Sequence, residues 1–270
     1  MGFTPQPNSW QCGPYALKHA LVTLGVWASE REISGLAGGR RRTGTDERQL
    51  DRAARAYRCT MPVVRRLDAD GARHALVDHL ERKIPVLLCV DQWDHWITVV
   101  KAERGRFIAL DSKDPAVLTI SRWESLRRRW AFRPRNEDGV IYDLHPVLPR
   151  FRVAARPHFS AARATFLRRR RNRDLVRSWE IFVDDLQRLS RRRTPLSENA
   201  ITFGEFLRRH SRKLLAEVRH WNGVDGRRKA ARILTNLRFV ADTHGLVVRL
   251  SDETRAVAGL ATLLDVRLRG

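Results

Sequence analysis

The chain is poor in cysteine, methionine and lysine, and it lacks any long apolar run. Its three cysteines, Cys12, Cys59 and Cys89, are odd in number, widely spaced and without a CxxC pair. That pattern excludes a disulfide framework and a four-ligand zinc site. No stretch approaches the ~18 consecutive apolar residues of a membrane span, and the N-terminal segment lacks the basic-then-apolar order of a secretory signal. A soluble, cytoplasmic protein is expected. There is no GxxxxGK[ST] phosphate loop and no zinc-finger or RNA-binding signature, so no metal and no nucleotide cofactor is expected. Lysine contributes only 6 of the 52 basic residues, an arginine bias that genomic base composition can produce by itself.

What is present in excess is positive charge. The 270 residues carry a net +22, with +4 in residues 1–120 and +18 in residues 121–270. A surplus of this size attracts polyanions. The length suffices for two modest domains, each with its own core.

The most informative stretch is Gln6 to Leu24, QPNSWQCGPYALKHALVTL. Ala16, Leu17, Ala20, Leu21 and Leu24 recur at the spacing of one helical face. Cys12 thus falls at a helix N-terminus, with Gly13 allowing close backbone approach and Pro14 suited to the first turn. Free amides and the positive end of the helix dipole favour a thiolate there. A nucleophilic cysteine needs a histidine base and a residue to orient it.

Further along, ASEREISGL (28–36) predicts a helix with Ser29 as N-cap and Glu32 completing a capping box. Thr45 is the expected N-cap of a helix over DERQLDRAARAYRC, PVVRRL a strand, and ADGARHALVDHLERK another helix. His74 and His79, five residues apart, do not share a helix face as ligands would. From Ile84 the pattern turns to strands: IPVLLCVD, WDHWITVVKAE and RFIALDSKDP. His95 lies in the second and Asp111 at the end of the third. Neighbouring antiparallel strands lie about 4.8 Å apart, so a hairpin can bring these two together.

These residues resemble the peptidase C39 family, papain-like cysteine peptidases best known as the leader-cleaving domains of bacteriocin-exporting ABC transporters. Four segments carry the resemblance: Gln6 with Cys12-Gly13-Pro14; Gly44-Thr45 before a helix ending near Tyr57; Ile84-Pro85-Val86 followed by Asp94-His95-Trp96-Ile97-Thr98-Val99-Val100; and Asp111 with Asp114-Pro115. Trp123–Trp130 and the strand-like 139–147 match the family's closing elements, so the resemblance covers roughly residues 1–148. It implies a bacterial-type thiol protease with Cys12 as nucleophile, His95 as base, Asp111 as orienting acid and Gln6 in the oxyanion hole, acting on a peptide or protein. Two positions depart from the pattern. Gln11 stands where an acid usually precedes the cysteine and rivals Gln6, and Asp111-Ser112 replaces an Asp-Pro pair, leaving Asp114 as a second candidate acid. With no transmembrane region and no phosphate loop, the chain is not the exporter itself, and a double-glycine leader as substrate is an analogy only.

Residues 149–162 (PRFRVAARPHFSAA) read as a linker, and residues 163–270 as a basic helical bundle. Helices are expected over about 164–192, 202–221 and 227–243, with a fourth after Ser251, each with an apolar stripe. Arg168–Arg171 and Arg191–Arg193 are basic clusters for an acidic protein or nucleic-acid partner. The expected fold class is therefore α+β: a papain-like peptidase domain (1–148) followed by a small all-α domain (163–270). Two other functions share this sequence. One is a binding protein whose basic half does the work, and the other a deamidase or acyltransferase using the same cysteine.

Overall fold

The computed structural model describes residues 2–39, 44–135, 139–153, 157–189 and 199–269. The arginine clusters 40–42 and 191–193 lie outside them. The fold is α+β, and the chain divides into two compact units, Met1–Val153 with Phe159–Arg177, and Ala154–His158 with Ser178–Gly270.

The first unit is built on α1 (Cys12–Thr23), α2 (Glu30–Ala37), α3 (Glu47–Ala56), β1 (Cys59–Thr60), β2 (Val64–Arg66), α4 (Ala69–Glu81), β3 (Val86–Val90), β4 (His95–Glu103), β5 (Arg106–Leu110), β6 (Leu118–Arg122), α5 (Trp123–Trp130), β7 (Tyr142–Pro146) and β8 (Leu148–Pro149). Six strands make one antiparallel sheet in the order β2-β7-β3-β4-β5-β6. Alternation sends Leu87, Cys89 and Trp96 to one face, where they pack on Leu17, Leu21, Ile33 and Leu50 of α1 to α3. Leu88, Val90, Ile97 and Val99 go to the other, against Leu76 of α4 and Trp123 and Trp130 of α5. The sheet is thus covered on both sides.

The helix α1 is buried along its whole length and not only on its apolar stripe. Its Lys18 is accommodated because Nζ donates to Thr4 Oγ1 at 2.8 Å and to Glu30 Oε2 at 2.7 Å. Ser29 caps α2 with the expected capping box through Glu32. The cap of α3 is Asp46, not Thr45. Asp46 Oδ1 accepts from the Gln49 amide at 2.8 Å while Gln49 Oε1 accepts from the Asp46 amide, and Thr45 instead gives its carbonyl to the Trp96 indole at 3.0 Å.

The two units meet the sequence boundaries differently. Pro149 pairs with Cys59, and the Arg150 amide donates to Arg58, so residues 149 and 150 belong to the sheet domain and not to a linker. The helix α6 (Ala161–Arg168) belongs there too: Glu103 accepts from its Ala161 amide, Lys101 donates to the Phe159 carbonyl, and Arg168 pairs with Asp114. The single helix expected over 164–192 is broken into α6, α7 (Arg173–Arg177) and α8 (Trp179–Leu189). At the first break the Asn172 side-chain amide donates to the Phe166 carbonyl at 2.6 Å, beside the Arg169 backbone amide at 3.2 Å, so a side-chain donor shares the carbonyl that ends α6.

The second unit contains α8, β9 (Ala200–Thr202), α9 (Phe203–His244), β10 (Val247–Arg249) and α10 (Glu253–Arg269). Gly223 (φ 68°, ψ −166°) reverses α9 into two antiparallel arms. Val218 Cγ1 lies 3.8 Å from where a Cβ on Gly226 would stand, whereas a straight helix would separate those residues by about 12 Å. The pairing of β9 with β10 closes the open end. At the tip, Trp221 and Val224 are 77% and 52% exposed. Exposed Arg212, Lys213, Arg219, Arg227, Lys229 and Arg232 line the arms with no ion pair among the described residues. No described helix is long and apolar enough to cross a membrane.

Candidate active site

Three elements converge on Cys12. A 3-10 turn at Ser9–Gln11 leads into α1, making Cys12 its first residue, and Thr98 Oγ1 donates to the Ala16 carbonyl at 2.7 Å, fixing α1 against β4. β4 opens with His95, whose side chain is fully buried. The β4–β5 register pairs Thr98 with Leu110, so the next residue, Asp111, stands across from the His95–Ile97 segment. There its Oδ1 accepts from His95 Nε2 at 2.7 Å.

The second imidazole nitrogen, Nδ1, is buried and has no hydrogen bond of good geometry. The imidazole as a whole interacts with the Cys12 thiol. A loose contact of this kind is common in an unliganded site. Burial raises the Cys12 pKa, but His95, the backbone amides of Trp96 and Gly13 and the charge on the imidazole outweigh it, and the thiol is held below its ordinary value. Burial likewise opposes charge on His95, yet Asp111 and Cys12 together raise its pKa. Asp111, against burial, is lowered by His95, the Lys113 amide and Arg129. All three directions favour thiolate, imidazolium and carboxylate. The other two cysteines behave oppositely: burial pushes Cys59 up to about 11 and raises Cys89 as well.

Asp114 is occupied elsewhere, its Oδ2 by Arg168 and its Oδ1 by the Ala116 amide. Of the two candidate acids, Asp111 is the one on the imidazole. Both glutamines precede α1, Gln11 within the Ser9–Gln11 turn and Gln6 in the segment before it. Gln6 is tied to the residue after Asp111: Ser112 Oγ donates to Gln6 Oε1 at 2.5 Å, and the Gln6 amide donates to the Ser112 carbonyl at 2.9 Å. Gln6 Nε2 donates to the Asn8 carbonyl at 2.6 Å, and Asn8 in turn donates to Gln11 Oε1. The dipeptide Asp111-Ser112 therefore holds His95 with one side chain and Gln6 with the next. Sequence reasoning gave Ser112 no role, although its place directly after the acid was the available signal.

Arg129, at the end of α5, also escaped that reasoning. It donates from Nη1 and Nη2 to Asp111 Oδ2 at 3.3 and 3.4 Å, and from Nε and Nη2 to the two oxygens of Asp91 at 3.0 and 2.8 Å. Within the arginine triplet 127–129 nothing distinguishes it from a solvated residue. Asp91, Gln92 and Trp93 all adopt positive φ (57°, 60° and 64°), a conformation that costs non-glycine residues energy and collects at functional sites. Among the described residues no three His, Cys, Asp or Glu side chains are grouped to hold a metal ion.

No family model and no curated protein matches the chain. Three similar solved structures are peptidase domains. The peptidase domain of Streptococcus ComA, a bi-functional ABC transporter, is 17% identical, with 54% of this chain and 97% of that one covered and a TM-score of 0.42. A double glycine motif protease from an AMS/PCAT transporter, in complex with the leader peptide, is 14% identical over 53% and 89%, with a TM-score of 0.38. The peptidase domain of Streptococcus mutans ComA is 17% identical over 52% and 97%, with a TM-score of 0.36. Over about half its length the chain is similar in structure to these peptidase domains.

Proposed function

We propose that the chain is a cysteine peptidase in which Cys12, His95 and Asp111 act together and the Gln6 side chain completes an oxyanion hole. The observation that carries this reading is a buried thiol at a helix N-terminus, in a site whose buried imidazole is held by a buried carboxylate at 2.7 Å. The Cys12 thiolate attacks the scissile carbonyl carbon, forming an S–C bond while the carbonyl π pair moves to oxygen. The Cys12 amide and the second N–H of Gln6 Nε2, whose first goes to the Asn8 carbonyl, then donate to that oxyanion. As the tetrahedral adduct collapses, the C–N bond breaks and His95 gives its Nδ1 proton to the departing amine. Water, deprotonated by His95, opens the thioester and restores the thiol. Asp111 keeps Nε2 protonated throughout, so that Nδ1 is always the nitrogen that exchanges protons with the reacting groups.

The six unpaired cations on the arms of α9 support a recruiting role for the second unit toward an acidic segment of the substrate. The reaction needs a reduced thiol, which suits the cytoplasm. The test is incubation of the purified chain with a mixture of acidic and neutral peptides, read by mass spectrometry beside Cys12→Ala. Two fragments per consumed peptide, absent from the variant and formed faster from acidic peptides at low salt, are expected. Intact peptides carrying a Gln-to-Glu change would move the reading to deamidation. Salt-sensitive binding of nucleic acid without any peptide turnover would move it to a binding protein.

A further inference from the structure

The Asp111 carboxylate has two unequal ends. Oδ1 accepts from His95 at 2.7 Å and from the Lys113 amide at 3.1 Å, whereas among the described residues Oδ2 accepts from Arg129 alone. The side chain is buried, so without Arg129 the second oxygen would be left dry and unpartnered. Arg129 is itself held: Asp91 takes its Nε and Nη2, and the Asp91 amide donates to the Arg129 carbonyl. The neighbouring pairs repeat the join. Gln92 donates to the Ala131 carbonyl at 3.0 Å and accepts from the Arg133 amide at 3.2 Å, and Trp93 stacks on Phe132 with ring centroids 3.6 Å apart and planes 4° from parallel. The end of α5 thus grips both the acid and the turn that leads into His95.

We propose that Arg129, anchored by Asp91, is a positioning residue that fixes the Asp111 carboxylate in the rotamer that accepts from His95, and that α5 is in this way part of the active-site frame. The inference rests on the cysteine-peptidase reading above. A planar guanidinium suits the task, since one fork reaches Asp91 in bidentate fashion while Nη1 and Nη2 remain for Asp111, which a lysine cannot match. The other charged or titratable groups facing the site are His19 of α1, neutral because burial lowers its pKa to about 3, Cys89 of β3, whose thiol burial keeps protonated, and Lys113, which faces the exposed Asp94 at 3.7 Å. None of them contacts Oδ2 of Asp111.

Two electrostatic roles make opposite forecasts. If Arg129 merely drew charge from Asp111, its removal would strengthen the pull of Asp111 on His95, and the thiolate would form at lower pH. If it positions the carboxylate, removal frees Asp111 to turn away, and the thiolate forms only at higher pH. The experiment is the rate of Cys12 alkylation by iodoacetamide from pH 5 to 9 in the full chain, for the parent protein, Arg129→Gln, Arg129→Lys and Asp91→Asn, with melting followed in parallel. Arg129→Gln is expected to slow alkylation at pH 6 by about tenfold, the effect of one pKa unit, and to leave pH 9 rates within about twofold. Arg129→Lys should recover part of the loss, and Asp91→Asn should lose less than Arg129→Gln. An acid limb that is unmoved or moves down in Arg129→Gln overturns the proposal, as does an equal slowing at every pH. Should Arg129→Gln fail to fold, an unmoved limb in Asp91→Asn overturns it. A parent protein whose Cys12 reacts no faster at pH 6 than a free thiol would overturn the peptidase reading itself, and this inference with it.

Discussion

Replacing Asp111 by Asn keeps the shape of the side chain and removes its charge, and the structure states what that should do. The aspartate gives one oxygen to His95 Nε2 and the other to Arg129; an amide offers a single oxygen, to one of them or the other. A hydrogen bond to a charged group contributes about 1.5–3 kcal/mol, and one between neutral groups about 1 kcal/mol. The difference, about 0.5–2 kcal/mol, is centred on roughly one pKa unit of support for the imidazolium. Since Cys12 is ionised largely by its pairing with His95, its ionisation should shift up by a similar amount. In Asp111→Asn, iodoacetamide labelling of Cys12 at pH 6 should fall about tenfold and converge with the parent at pH 9. Peptide turnover should fall further, because the neutral amide no longer dictates which imidazole nitrogen carries the proton. Asp114→Asn is the control, and its labelling should match the parent, since Asp114 is bound to Arg168 and the Ala116 amide. Unchanged labelling in Asp111→Asn, or an equal loss in Asp114→Asn, would refute the reasoning.

Three more expectations come from the same coordinates. Ser112→Ala removes the donor that fixes the Gln6 carbonyl oxygen; turnover should drop by less than the ~3 kcal/mol of losing an oxyanion donor outright, while Cys12 labelling stays as in the parent. Buried His19 and His145, with pKa lowered to about 3 and about 4, are neutral when folded and protonated when unfolded below pH 6.5. The unfolded state then binds more protons, so stability falls as pH drops from 6.5 towards 4, by about 1.4 kcal/mol per pH unit for each histidine, and the stability of His145→Leu from denaturant titrations should show about half the combined contribution of the pair. Gly223→Ala places a side chain at φ 68° and ψ −166°, a region almost confined to glycine. The second unit should lose about 1–3 kcal/mol in thermal melting while the Cys12 alkylation profile stays put, and an unchanged melt would contradict the reversal.

How far the sequence reached depends on whether the relevant contact was local. Cys12 was legible because the 3.6-residue spacing after it and Pro14 both announce a helix start. His95 and Asp111 were legible because two strand patterns and a turn at Gly105 bring them level. Thr45 was mistaken for a cap because Asp46 directly after it is an equally good one, and only the tertiary bond from Trp96 to the Thr45 carbonyl decides. At the break after α6 one side-chain amide, that of Asn172, shares a carbonyl with a backbone donor, which periodicity cannot register. Arg129 was invisible for a different reason. Its meaning lies in two carboxylates, 38 and 18 residues away, and in a left-handed turn without glycine that no local rule predicts.

The reversal at Gly223 sets the order of events in the second unit. The arms of α9 touch across eight residues at Val218 and Gly226 but across forty-five where Thr202 pairs with Val247. Closing the longer loop first would cost about 1.5 kcal/mol more in chain entropy, so the arms should zip from the tip towards the β ladder. At equilibrium the ranking inverts. The tip is the exposed end, so its amides should be the first to exchange with solvent, and those near the buried Phe203, Phe206 and Val240 the last. The segment expected to form earliest in folding should thus be the one most often open in the finished protein.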